Sequence, residues 1–169
     1  MIVRYPQRST FIIVSVLCLW LACNSSSPSA SPKKPAEHSA RSAGRDLSLD
    51  DARGGHTLKK HVGRSDQDLR ERLQREHKIS AASTYTDRHT AEVFVAGCLE
   101  DNHVRVQQWL DQERHPNLAL DCIGDPAWPL GRTLHRGQSR PEPCSNATLV
   151  LKWTPPLDYY VLTSYPDCR

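Results

Sequence analysis

The sequence predicts an α+β fold, and two observations carry that prediction. Before residue 115, apolar residues recur at helical spacing, first Leu69 and Leu73, then Ala91, Phe94, Val95, Cys98, Leu99, Val106, Trp109 and Leu110. After it, short apolar runs alternate with clusters of Pro, Gly, Asn and Asp, the texture of strands and turns. Helices followed by strands indicate N-terminal helices packed on an antiparallel β-sheet. With 169 residues, 38% apolar and 24% charged, the chain can bury one modest core.

The elements are preceded by two segments that do not belong to that core. Arg4 and Arg8 stand ahead of an apolar run over residues 11–22, too short for the roughly 20 residues a membrane-spanning helix needs. Residues 1–22 therefore read as a secretory signal. The run closes with Leu19-Trp-Leu-Ala-Cys23 and continues as Asn-Ser-Ser-Ser, which resembles a bacterial lipoprotein signal with Cys23 as the acylated residue. The expected product is an exported chain, held at the membrane by a lipid on Cys23 as an envelope lipoprotein, or secreted if cleavage is simple. Residues 23–45 are rich in Ser, Pro and Ala without apolar periodicity, as expected of a solvated linker.

Charge follows the same division. Up to Arg45 there are six Lys or Arg against the single acid Glu37, so the net charge of +3 resides in leader and linker. A uniformly basic nucleic-acid-binding domain is excluded, and any such site must be a local patch.

Within the expected domain, residues 46–169, Ser65-Asp-Gln-Asp68 forms a capping-box variant that opens an amphipathic helix ending near His77. A longer helix opens at Thr86 or Asp87 and carries the second apolar stripe to Leu110, with Cys98 toward the core. Strands are expected at Leu118–Cys122, Arg132–Arg136, Ala147–Trp153 and Tyr159–Tyr165. The last two form a hairpin through Thr154-Pro-Pro-Leu-Asp158. Strict alternation would place Tyr159, Val161, Thr163 and Tyr165 on one face. Four cysteines fall in the domain: Cys98, Cys122, Cys144 and Cys168. An even number in an exported chain implies disulfides, with three pairings open. No CxxC spacing suggests zinc, and neither a metal nor another cofactor is expected.

Three ordered stretches carry a family resemblance: Gly54-Gly-His-Thr-Leu-Lys-Lys-His61-Val-Gly-Arg-Ser-Asp-Gln-Asp-Leu69; Ala81-Ala-Ser-Thr-Tyr-Thr-Asp87 with Thr90-Ala-Glu92; and Tyr160-Val-Leu-Thr-Ser-Tyr-Pro166. Together they resemble the bacterial RNase A-like domain at the C-termini of contact-dependent growth inhibition (CdiA) toxins. The loops Asp125-Pro-Ala-Trp-Pro129 and Arg140-Pro-Glu-Pro-Cys144 depart from that pattern, as do the four cysteines.

The resemblance implies an RNase A-like fold and a metal-independent endoribonuclease that leaves a 2′,3′-cyclic phosphate. Its substrate would be RNA, in some members transfer RNA, and a cognate immunity protein would be a partner of an otherwise monomeric chain. His61 aligns with the family's catalytic histidine, Arg72 with its arginine, and Thr163 and Tyr165 with its C-terminal hydroxyl pair. The implied roles are proton transfer by His61 and charge stabilisation by Arg72. Thr163 would donate to phosphate or base, while Tyr165 positions phosphate or assists protonation of the leaving group. Lys60 and His56 are the flanking candidates for substrate binding, His56 also as a supporting residue behind His61. HTLKKH lacks the glutamate of a zinc-protease motif. The competing reading is a non-catalytic lipoprotein that keeps the fold as an RNA- or protein-binding module.

Overall fold

A computed structural model describes residues 44–156 and 158–168. The expected signal at 1–22, the expected acylation site Cys23 and all but the end of the 23–45 linker lie outside the described residues. That end is part of the fold: the Arg45 N–H donates to the Glu92 carbonyl at 3.2 Å, and its guanidinium grips the buried Asp50 carboxylate through two bonds of 2.7 Å.

The elements run α1 (Leu47–Ala52), α2 (Thr57–His61), α3 (Asp66–Arg75), β1 (Ala81–Tyr85), α4 (Arg88–Asp101), α5 (His103–Leu110), β2 (Leu118–Cys122), β3 (Gly131–His135), β4 (Glu142–Cys144), β5 (Ala147–Thr154) and β6 (Asp158–Pro166). The α+β class is as expected. The strands sort into two antiparallel three-stranded sheets, β1-β3-β4 and β2-β5-β6. One strand, β1, precedes the long helical stretch, and that stretch is two helices. Asn102 separates them, because its amide donates to the Cys98 carbonyl at 2.9 Å and ends α4, after which α5 resumes the same apolar stripe. The capping box of α3 is formed as read, with the Ser65 hydroxyl accepting from Asp68 N–H and the Asp68 carboxylate accepting from Ser65 N–H.

Strand β6 is an edge of its sheet, so backbone groups on one side need partners outside β5. Helices α1 and α2 supply them. Val161 N–H donates to Asp50 at 2.8 Å, Leu162 C=O accepts from His56 N–H at 3.0 Å, and Ser164 N–H donates to Thr57 Oγ1 at 2.8 Å. The register of β5 against β6 steps from Val150↔Thr163 to Leu151↔Val161, a bulge at Leu162 that breaks the strict alternation. Tyr160 and Val161 are both buried, and so are Thr163 and Ser164. The approach of the α1–α2 connection to β6 requires Gly55, where a Cβ would sit 2.5 Å from the Val161 carbonyl oxygen and 2.8 Å from that of Asp50.

The four domain cysteines form two disulfides, Cys98–Cys122 and Cys144–Cys168, with Cα separations of 5.6 and 5.2 Å, inside the usual range. The first ties α4 to β2. The second ties β4 to the segment beyond β6. The main hydrophobic cluster includes Leu47, Tyr85, Val95, Leu120, Leu149 and Val161, and a smaller one holds Leu69, Leu73, Ala82 and Leu134 beneath α3.

Candidate active site

His61 is the last residue of α2 and is only 5% exposed. Its Nδ1 lies 3.3 Å from the Ser83 carbonyl oxygen on β1. A carbonyl can only accept, so Nδ1 carries the proton and Nε2 presents a lone pair. The Tyr165 ring packs against the imidazole at a centroid distance of 5.3 Å, and the His56 ring stands 6.3 Å away.

Arg72, in the last turn of α3, brings Nη1 to within 3.4 and 3.5 Å of the two ring nitrogens of His61. A guanidinium has no lone pair to offer and cannot be neutralised, so it opposes a positive charge on the ring. Burial first, then Arg72, push His61 down to about 3, with His56 and Lys60 adding to the effect and the Ser83 carbonyl opposing it. An ordinary histidine titrates near 6.5; lowered to about 3, His61 is a neutral imidazole near neutral pH. Its neighbour His56 is also lowered, by partial burial and then Lys60.

Two buried donors, on Arg72 and Thr163, make no hydrogen bond among the described residues. Arg72 Nε is buried without a hydrogen bond, although Glu76 Oε1 balances its charge from 3.3 Å. The Thr163 hydroxyl oxygen is likewise buried and unbonded. Leaving such a group unsatisfied costs on the order of 1–3 kcal/mol, and unsatisfied buried donors are suited to a ligand that accepts. Phosphate oxygens are acceptors of that kind.

The fold thus brings His61, Arg72, Tyr165 and His56 into one cluster. Thr163 lies two residues before Tyr165 on β6, which α2 covers. The Lys60 side chain is exposed, and its charge acts on both histidines. Sequence reasoning missed Ser83, whose carbonyl sets the tautomer, because a backbone acceptor leaves no trace in residue type. It also missed Glu76, which reads as an ordinary helix-surface acid. A groove between α4, α5 and Tyr159 is lined by none of the site residues. Among the described residues, no group of three or more His, Cys, Asp or Glu is disposed to hold a metal ion.

Residues 55–166 match the family model described as bacterial CdiA-CT RNAse A domain. The crystal structure of a CdiA-CT/CdiI complex from Y. kristensenii 33638 is similar, with a TM-score of 0.61 and 27% sequence identity. The match covers 67% of this chain and 99% of that one. No curated protein matches the chain.

Proposed function

The chain belongs to the bacterial CdiA-CT RNase A domain family, a family of toxin ribonucleases, and from that premise we propose that it is an exported endoribonuclease that cleaves RNA by metal-independent transphosphorylation. The placement of a buried His61 against Arg72 and Tyr165, with Nδ1 3.3 Å from the Ser83 carbonyl oxygen, is the observation that supports this reading most directly. Nε2 accepts the proton of the ribose 2′-hydroxyl, and the 2′-oxygen attacks the adjacent phosphorus. Negative charge develops on the phosphorane oxygens, where the Arg72 fork and the Thr163 hydroxyl donate. Tyr165, in ring contact with His61, orients base and phosphate. The bond from phosphorus to the 5′-oxygen then breaks as that oxygen takes up a proton, leaving a 2′,3′-cyclic phosphate and a 5′-hydroxyl.

Transfer RNA is the substrate class to test first. The Y. kristensenii CdiA-CT is found with CdiI, and by that likeness a cognate immunity protein is proposed as a partner here. Export through the 1–22 signal and tethering at Cys23 complete the proposal, with mass spectrometry of the mature N-terminus as its check: an acylated Cys23 supports the tether, and an unmodified start elsewhere removes it.

The activity is tested by incubating the purified chain with a transfer RNA pool in EDTA, alongside His61→Ala, and mapping the product ends. Cyclic phosphate ends in EDTA, reduced at least about 100-fold in the variant, are expected. Cleavage that needs added metal, or that survives intact in His61→Ala, would overturn the mechanism.

A further inference from the structure

Transphosphorylation needs a group that returns a proton to the departing 5′-oxygen, a role the resemblance offers to Tyr165 only as an alternative to positioning phosphate. Resting on the nuclease reading above, we infer that His56 is the general acid, handing its proton to the 5′-oxygen as the phosphorus–oxygen bond breaks. The proton balance closes: His61 gains one from the 2′-hydroxyl, His56 loses one to the leaving oxygen, and water resets the pair when the cyclic product departs.

Geometry carries this assignment. In an in-line displacement the entering and leaving oxygens lie on opposite sides of phosphorus, and each needs a catalytic group within about 2.6–3.2 Å. The two imidazoles stand at opposite ends of α2, as its N-cap and its last residue, with centroids 6.3 Å apart and planes inclined at 39°. At that spacing the two rings can reach the entering and leaving oxygens of one phosphoryl group seated beside them. Tyr165, by contrast, packs directly on the base.

His56 is held by its backbone, through N–H to Leu162 C=O and C=O from Lys60 N–H. Its ring makes no hydrogen bond to a described residue and is only partly buried, so both nitrogens are free to meet a substrate. Asp51 of α1 faces the ring electrostatically and favours the protonated form, as does Glu76 just after α3, while Lys60 of α2 and Arg72 of α3 disfavour it. Asp51 has one carboxylate oxygen engaged by Lys59 N–H and the other buried and unbonded. A phosphate seated beside the rings adds negative charge and favours the acid form further.

These charges set a pH profile. The base must be neutral and the acid protonated, so kcat/KM falls below about 3 as His61 takes up a proton. It falls again as pH rises through the lowered value of His56, which puts the optimum on the acidic side of 6.5. An aromatic hydroxyl as acid would instead sustain activity well above neutrality.

The decisive experiment compares two substrates in the full chain: a dinucleoside monophosphate, whose alkoxide must be protonated to leave, and a uridine 3′-(4-nitrophenyl phosphate), whose phenolate leaves unaided. His56→Ala and His56→Gln are expected to lose about 100-fold or more on the first and at least tenfold less on the second, and to lose the alkaline limb of the profile. His61→Ala is expected to be crippled on both. Equal losses on the two substrates in both His56 variants would make His56 a structural residue, and no loss would remove it from the site; either overturns the assignment. Selective loss in Tyr165→Phe instead would transfer the role to Tyr165. Failure of the wild-type chain on both substrates would refute the nuclease reading itself, an outcome separate from all of these.

Discussion

The two hydrophobic clusters support opposite sides of the site by different means. The larger lies against α4, α5 and the β2-β5-β6 sheet, and the Cys98–Cys122 bridge closes part of it covalently. Strand β6, with Thr163 and Tyr165, stands on this base. The smaller has four buried members, Leu69, Leu73, Ala82 and Leu134, with Ile79 packed at its side. Helix α3 rests on it and carries Arg72. Arg136 reinforces that end by donating to the Leu73 and Glu76 carbonyls at 2.8 and 3.1 Å. Global stability therefore resides mainly in one cluster, whereas the placement of the guanidinium depends on the other. A small apolar contact can matter more to catalysis than to folding.

Truncation in the larger cluster should have the greatest effect on stability. Leu149→Ala, at a fully buried position, is expected to cost about 4–5 kcal/mol, read as a fall in the urea midpoint at unchanged slope. Removal of the Cys98–Cys122 bridge by paired alanine substitution should cost about 3 kcal/mol, mostly through the freed unfolded chain. Leu69→Ala should cost only about 2–3 kcal/mol, yet lower kcat/KM by more than its unfolded fraction accounts for. A loss of activity no larger than that fraction would break the contrast between the clusters.

Acid provides the mildest and most specific probe. Because His61 is held down to about 3 in the folded chain and titrates near 6.5 when unfolded, the unfolded state binds more protons between those values. Stability contributed by its burial is present above 6.5 and is lost as pH falls toward 3. The expected decrease is about 2 kcal/mol between pH 7 and 5, and it should be missing from His61→Leu. Equal acid sensitivity in wild type and variant would assign the effect to other groups.

Much of this architecture was legible in the sequence where a pattern was long enough. Strand β2 begins and ends as expected, and β5 and β6 differ from expectation by a residue at their ends. The α3 capping box was readable because its chemistry is local. What escaped was short or sustained by tertiary contacts. Strand β1, Ala-Ala-Ser-Thr-Tyr, opens with small residues of weak strand propensity and is almost wholly buried, so it shows no alternation. Strand β4 has three residues, one of them Pro143. Helix α1 depends on Asp50, whose carboxylate accepts from the Val161 N–H, 111 residues further along the chain.

The site shows the same division. His61 and Arg72 stand out through their motif and their spacing of eleven residues. The depth of His61, the Ser83 acceptor and the unbonded Thr163 hydroxyl emerge only when α2, β1 and β6 are assembled. The Leu162 bulge was likewise invisible, since nothing in residue type announces an extra residue in the ladder.

Gly55 carries a consequence for how such a sequence can drift. The two atoms that a Cβ would strike are backbone oxygens, of Val161 and Asp50, and cannot swing aside as a flexible side chain would. Any larger residue must wedge α2 away from β6, and both histidines travel with α2 while Tyr165 and Thr163 remain behind. A position without a reactive atom thus acts as a spacer gauge: one added methyl group would leave every catalytic side chain present and disconnect them from one another.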